Sequence, residues 1–133
     1  LTEGGTLIIN FVSGNQPEDQ LVPSSLYGTL KKVFQSVDIY VGQDFFASAP
    51  RVVNMIFVAR DSQQPVETGF VPADAYPEFI DDLKWLYSRK VSFTPGPFVF
   101  TDDYNPIDFY DRDAGERFRT HIISNTDREI ITE

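Results

Sequence analysis

Residues 97–111, Pro-Phe-Val-Phe-Thr-Asp-Asp-Tyr-Asn-Pro-Ile-Asp-Phe-Tyr-Asp, set two adjacent carboxylates, a tyrosine and an Asn-Pro pair directly behind a short apolar run. Asp102, Asp103, Tyr104 and Asn105 are the residues whose types and spacing best suit binding chemistry. Carboxylates hold cations: one charge pair at ~4 Å contributes ~4 kcal/mol at an effective dielectric of about 20, before desolvation is subtracted. A second reading stands beside this one. Asp102 or Asp103 caps a helix that starts at Pro106, and Tyr104 packs.

The neighbouring acids Asp108, Asp111 and Asp113 do not turn the stretch into a calcium loop, because the alternating Asp-x-Asp-x-Asp with a central Gly and a late Glu is missing. A solvated acidic face is the expectation. His121, the single histidine, has no orienting acid or nucleophile suggested around it. The expected metal set and catalytic set are therefore both empty. A last group of candidates, Asn10, Ser13 and Gly14, falls at the end of the first apolar run, where open α/β sheets bind ligands. Those three are expected to line a pocket. The glycines around that run lie on the wrong side, and at the wrong spacing, for a dinucleotide fingerprint.

Such residues need a scaffold, and 133 residues suffice for one domain with a real core. Twelve Phe and six Tyr supply the burial that offsets chain entropy. The absence of cysteine excludes disulfides and thiolate metal ligands. A net charge of −9, with the basic residues scattered, argues against a phosphate backbone as partner, so no nucleic acid is expected. No apolar run reaches the ~20 residues of a membrane helix.

Along the chain, 6–12 (TLIINFV) reads as a strand buried on both faces. A polar loop follows. Ser24 and Ser25 are placed to cap a helix over 25–36, whose apolar stripe is Leu26, Leu30, Val33, Phe34 and Val37. Residues 37–43 read as a second strand and 51–60 as a third. Strand, helix, strand implies a right-handed crossover between parallel strands, while the short 44–50 loop makes the third strand return antiparallel. A polar linker then leads to a helix over 75–88 with the stripe Tyr76, Phe79, Ile80 and Leu83 turned to the core. Extended chain with a Pro-Gly-Pro turn comes next, then a helical stretch over about 106–121.

Taken together these stretches resemble one family. LTEGGTLIINFVSG resembles the Gly-Gly turn and fifth strand of spermidine synthase-like proteins, which have the class I S-adenosylmethionine-dependent methyltransferase fold. SSLYGTLKKVFQSVDIYVG resembles their next helix and sixth strand, and RVVNMIFVAR their seventh. FTDDYNPID resembles their C-terminal Thr-Asp-Asp-Tyr-x-Pro segment. The likeness covers about residues 1–60 and 98–110.

The resemblance implies an α/β fold. The expected core is a partial Rossmann-like sheet with parallel strands 6–12 and 37–43, antiparallel strand 51–60 between them, crossover helix 25–36 and a C-terminal helical extension. It further implies that the chain is the C-terminal half of a larger domain. The Gly-rich turn and acids that grip decarboxylated S-adenosylmethionine or S-adenosylmethionine would precede Leu1. No cofactor is expected in this chain itself, which would be inactive alone. Near a polyamine site, Asp102, Asp103, Tyr104 and Asn105 would meet a cationic substrate. The expected partners are the upstream half of the domain and, through strand 6–12, an identical copy. A cytoplasmic location follows, on the cytoplasmic side of a membrane if the parent carries an upstream membrane segment. A non-enzymatic assembly module derived from the same fold is the alternative.

Overall fold

The computed structural model describes residues 5–62, 76–107 and 112–125. Its centre is β3 (Val52–Arg60), the strand with the densest apolar alternation. Val53, Met55, Phe57 and Ala59 all point to one side and are buried, and the last three have no exposed surface. Period-two geometry sends the intervening Asn54, Ile56 and Val58 to the other side. β3 pairs antiparallel on one flank with β1 (Thr6–Gly14) and on the other with β2 (Ser36–Val41). A two-residue β4 (Lys90–Val91) pairs antiparallel outside β2, giving the order β1-β3-β2-β4.

This overturns the expected partial Rossmann-like sheet. Every hydrogen-bonded neighbour pair among the described strands is antiparallel. β3 does lie between β1 and β2 and antiparallel to both, as expected, but among the described residues no parallel pair extends the sheet, and β4 adds antiparallel outside β2. The reversal between β2 and β3 runs through a 3-10 turn at Gln43–Phe46, too short for a helical crossover.

β1 also departs from expectation. It is not buried on both faces: Leu7, Ile9 and Phe11 lean on the core, whereas Thr6, Ile8 and Asn10 are exposed, Ile8 by 66%. An apolar run alone does not reveal that one of its two faces stays exposed.

Helix α1 spans Leu21–Val33 rather than 25–36. A 3-10 helix at Pro17–Gln20 leads straight into it, and Pro23 fits the first turn, where no intrahelical N–H bond is required. Ser24 and Ser25 thus lie inside the helix instead of capping it. α1 ends where Phe34 turns extended (φ −109°, ψ 145°) and its N–H donates to the Leu30 carbonyl. Leu26 and Leu30 close the core over Ile39, Val41, Met55 and Phe57, while Val33 is 71% exposed.

α1 has a second neighbour. The chain after β4 crosses it in a close approach: Gly96 N–H donates to Ser24 O at 2.8 Å, and Phe100 N–H to Thr29 Oγ1 at 2.9 Å. A Cβ on Gly96 would stand 2.6 Å from the Ser25 backbone nitrogen, so glycine is required there.

Helix α2 (Pro77–Tyr87) has no buried residue. Its expected core stripe is corrected accordingly: Tyr76 and Phe79 are exposed and Ile80 and Leu83 only half-buried. α3 spans Arg112–Asn125 and touches β1 and β3. Most of the expected linker, at 63–75, and the first turn of the expected C-terminal helix, at 108–111, lie outside the described residues. No helix among the described residues is long and apolar enough to cross a membrane.

Urea denaturation should rank the two faces of the sheet. Phe57→Ala is expected to destabilise by about 3–5 kcal/mol and Ile8→Ala by about 0.5 kcal/mol or less. Gly96→Ala should cost about 1–3 kcal/mol through overpacking against α1.

Candidate functional site

The acidic stretch forms a tight turn. Thr101 and Tyr104 exchange backbone bonds of 2.9 and 3.1 Å, and Thr101 Oγ1 accepts a further bond from Tyr104 N–H at 3.1 Å. Asp102 and Asp103 occupy its tip and are exposed, as is Asn105. Tyr104 tilts against Phe98 with ring centroids 6.3 Å apart but remains 47% exposed. Two carboxylates are thus presented to solvent on a short, bonded platform. Such a platform attracts cations but does not enclose them.

The three residues expected to line a pocket are not brought together. Asn10 stands exposed on the uncovered face of β1, opposite Ile56. Ser13 and Gly14 are buried under the 3-10 helix at 17–20. Ser13 Oγ lies 3.4 Å from the Asp19 carbonyl. A Cβ on Gly14 would collide with the Asp19 carboxylate, which in turn pairs with Arg117 of α3. Close packing at the strand's end, not a cavity, accounts for both residues.

One position further on, the chain does open. Asn15, Pro17, Gln20, Ser24, Phe45 and residues 91–94 line a cleft of about 650 Å³. Asn15 holds its rim: Nδ2 donates to the carbonyls of Asp44, Ala47 and Ala49, and Oδ1 accepts from the backbone N–H of Arg51 at 2.8 Å. None of Asp102, Asp103, Tyr104 and Asn105 lines it.

A second constellation lies on the other face of the sheet. Ser36, Asp38 and Tyr40 alternate along β2, with Arg60 opposite Ser36 and Lys90 opposite Tyr40. Asp38 is buried and bonded from two sides, by Lys90 Nζ at 2.5 Å and Arg60 Nη2 at 3.7 Å. Tyr40 is 3% exposed and stacks edge-on against Tyr87, while its hydroxyl has no hydrogen-bond partner among the described residues. Burial, reinforced by the nearby Asp38 charge, holds the Tyr40 phenol above its ordinary value of 10.0. The network joins three strands, and two cations on one carboxylate leave it formally positive. Asp38 was the legible signal for it, as a carboxylate inside the apolar run VDIYV. Its two partners come from strands 22 and 52 positions away, which local pattern does not reveal.

Among the described residues no three His, Cys, Asp or Glu side chains gather as a metal site. No protein-family model, no curated protein and no solved structure matches the chain.

The raised Tyr40 pKa has a definite sign in stability. The unfolded phenol ionises near 10 and the folded one higher, so stability is full below pH 10 and is lost as pH rises through the folded value. Tyr40→Phe is expected to shift neutral-pH stability little, because the hydroxyl bonds no group among the described residues. Guanidinium denaturation between pH 8 and 11 should then show a shallower alkaline loss in the variant than in the parent.

Proposed function

We propose that this chain is the C-terminal part of a spermidine synthase-like transferase and is catalytically inert by itself. The observation that carries the reading is the free edge of β1. Among the described residues it ends the sheet, it has no charged residue, proline or bulge to deter pairing, and its Ile8 side chain is 66% exposed. Edge strands of self-sufficient proteins are usually blunted by such devices. An unprotected edge fits a strand that is paired in the working protein, by the upstream half of the same enzyme.

The exposed Asp102-Asp103 turn supports the substrate class. A polyamine is a flexible cation, and a net charge of −9 with two carboxylates at a turn tip favours its approach. Decarboxylated S-adenosylmethionine or S-adenosylmethionine would be gripped by the upstream half. The enzyme would work in the cytoplasm or on the cytoplasmic side of a membrane. The same free edge favours a second reading, an assembly module without catalysis, in which the edge pairs with a second copy of the chain.

Calorimetric titration of the chain with decarboxylated S-adenosylmethionine, methylthioadenosine and putrescine separates these outcomes. The cofactor and its product should not bind. Putrescine should bind with a dissociation constant on the order of 1 mM and be lost in the double variant Asp102→Asn, Asp103→Asn. Micromolar cofactor binding by the chain alone would overturn the inertness. In sedimentation, self-association abolished by Ile8→Lys would favour the assembly module.

A further inference from the structure

We propose that Arg89, with the rings of Phe46 and Trp85, forms a docking point for an acidic protein segment that carries a carboxylate side chain next to an aromatic residue. This inference does not rest on the transferase reading. Three elements meet at the point. Trp85 comes from α2, Phe46 from the 3-10 turn at Gln43–Phe46, and Arg89 from the link between α2 and β4. The backbone of Arg89 is fixed on both sides: its N–H donates to the Leu86 carbonyl at 2.9 Å, and its own carbonyl accepts from Val41 N–H at 3.1 Å.

The guanidinium lies against both rings, with Cζ 5.5 Å from the Phe46 centroid and 5.1 Å from that of Trp85. Stacking of this kind uses the faces of the guanidinium and leaves its N–H edge for hydrogen bonds. Among the described residues no carboxylate or carbonyl takes up that edge. Arg89 is partly exposed, and none of its nitrogens is among the buried polar atoms that lack a partner. The donors are therefore open to solvent, while the rings hold the group that carries them. The chain has 20 acidic residues against 11 basic ones, so this arginine does not go without an acid for want of supply.

The chemistry of the partner follows. A carboxylate matches the guanidinium edge with two parallel N–H···O bonds. Phe46 and Trp85 stay 58% and 41% exposed, so a partner gains by covering ring surface beside the charge. Arg, Trp and Phe are residue types enriched at protein interfaces. An open surface of this kind suits a chain segment laid across it better than an enclosed small molecule. The net charge of −9 opposes an acidic partner at long range. Salt screens that repulsion over about 8 Å at physiological ionic strength, so recognition here is short-range.

Trp85 is the single tryptophan, so its emission reports on this point alone. The test is a fluorescence titration of the chain, at about 0.15 M salt, with the blocked dipeptide acetyl-Glu-Phe-amide. The comparison peptides are acetyl-Gln-Phe-amide, acetyl-Lys-Phe-amide and acetyl-Glu-Ala-amide. The first peptide is expected to shift the emission saturably, with a dissociation constant on the order of 1 mM. Gln or Lys in place of Glu should weaken it roughly tenfold or more, and Ala in place of Phe about threefold. Arg89→Gln should abolish the shift. Arg89→Lys keeps the charge but loses the paired donors and should weaken binding about fivefold, so a folding failure of one variant leaves the other to report. Absence of saturation, equal binding of any comparison peptide, or unchanged binding by either folded variant would overturn the proposal.

Discussion

Burial of one face of β3 is the constraint from which the rest of this structure follows. Met55, Phe57 and Ala59 lie wholly out of solvent, backbone included, which an edge strand with one open side does not achieve. β1 and β2 must then flank it, and α1 must cover it with Leu26 and Leu30. At about 25 cal/mol per Å² of apolar surface removed from water, these side chains outweigh any single polar contact described above. The polar interactions act mainly as locators. Asn15 anchors the loop into β3, Gly96 and Thr29 seat the 92–101 segment on α1, and Asp38 ties β2 to β3 and β4.

The two faces of the sheet are unequal. One is sealed by α1 and by Phe45, Phe93 and Phe100. The other carries the Asp38 network and a less complete cover, with α2 contributing no buried residue and Ile8 left in water. That asymmetry underlies the functional reading. Among the described residues β1 ends the sheet, and the face on which Ile8 stands is the thinner one. The acidic turn at 101–104 and the cleft beside Asn15 are separate features, one presenting two exposed carboxylates and the other lined by no ionisable side chain.

Much of the candidate site was hidden in the sequence for a specific reason. Asp102 and Asp103 were visible because a carboxylate pair next to Tyr and Asn-Pro is a local pattern, and they do form an exposed turn. The pocket was placed at Asn10, Ser13 and Gly14, yet the cavity begins at Asn15. What fills the space above Gly14 is Asp19 and Arg117, the second from a helix about a hundred positions later. Gln20 and Phe93, 73 positions apart, come to line one cleft only through the fold.

The sequence by itself determined where extended and helical segments arise, because apolar runs, helical stripes, prolines and glycines act within a few residues of one another. It also determined the strong negative charge, the lack of thiol chemistry and the acidic turn. Only the tertiary structure decided that β4 pairs outside β2 and that every neighbouring pair among the described strands is antiparallel, so that the sheet is not a Rossmann-like one. It alone decided that β1 keeps one face in water and that Asp38 meets Lys90 and Arg60. Pairing and burial are long-range outcomes of competition for one shared core, and no local stretch of residues carries that information.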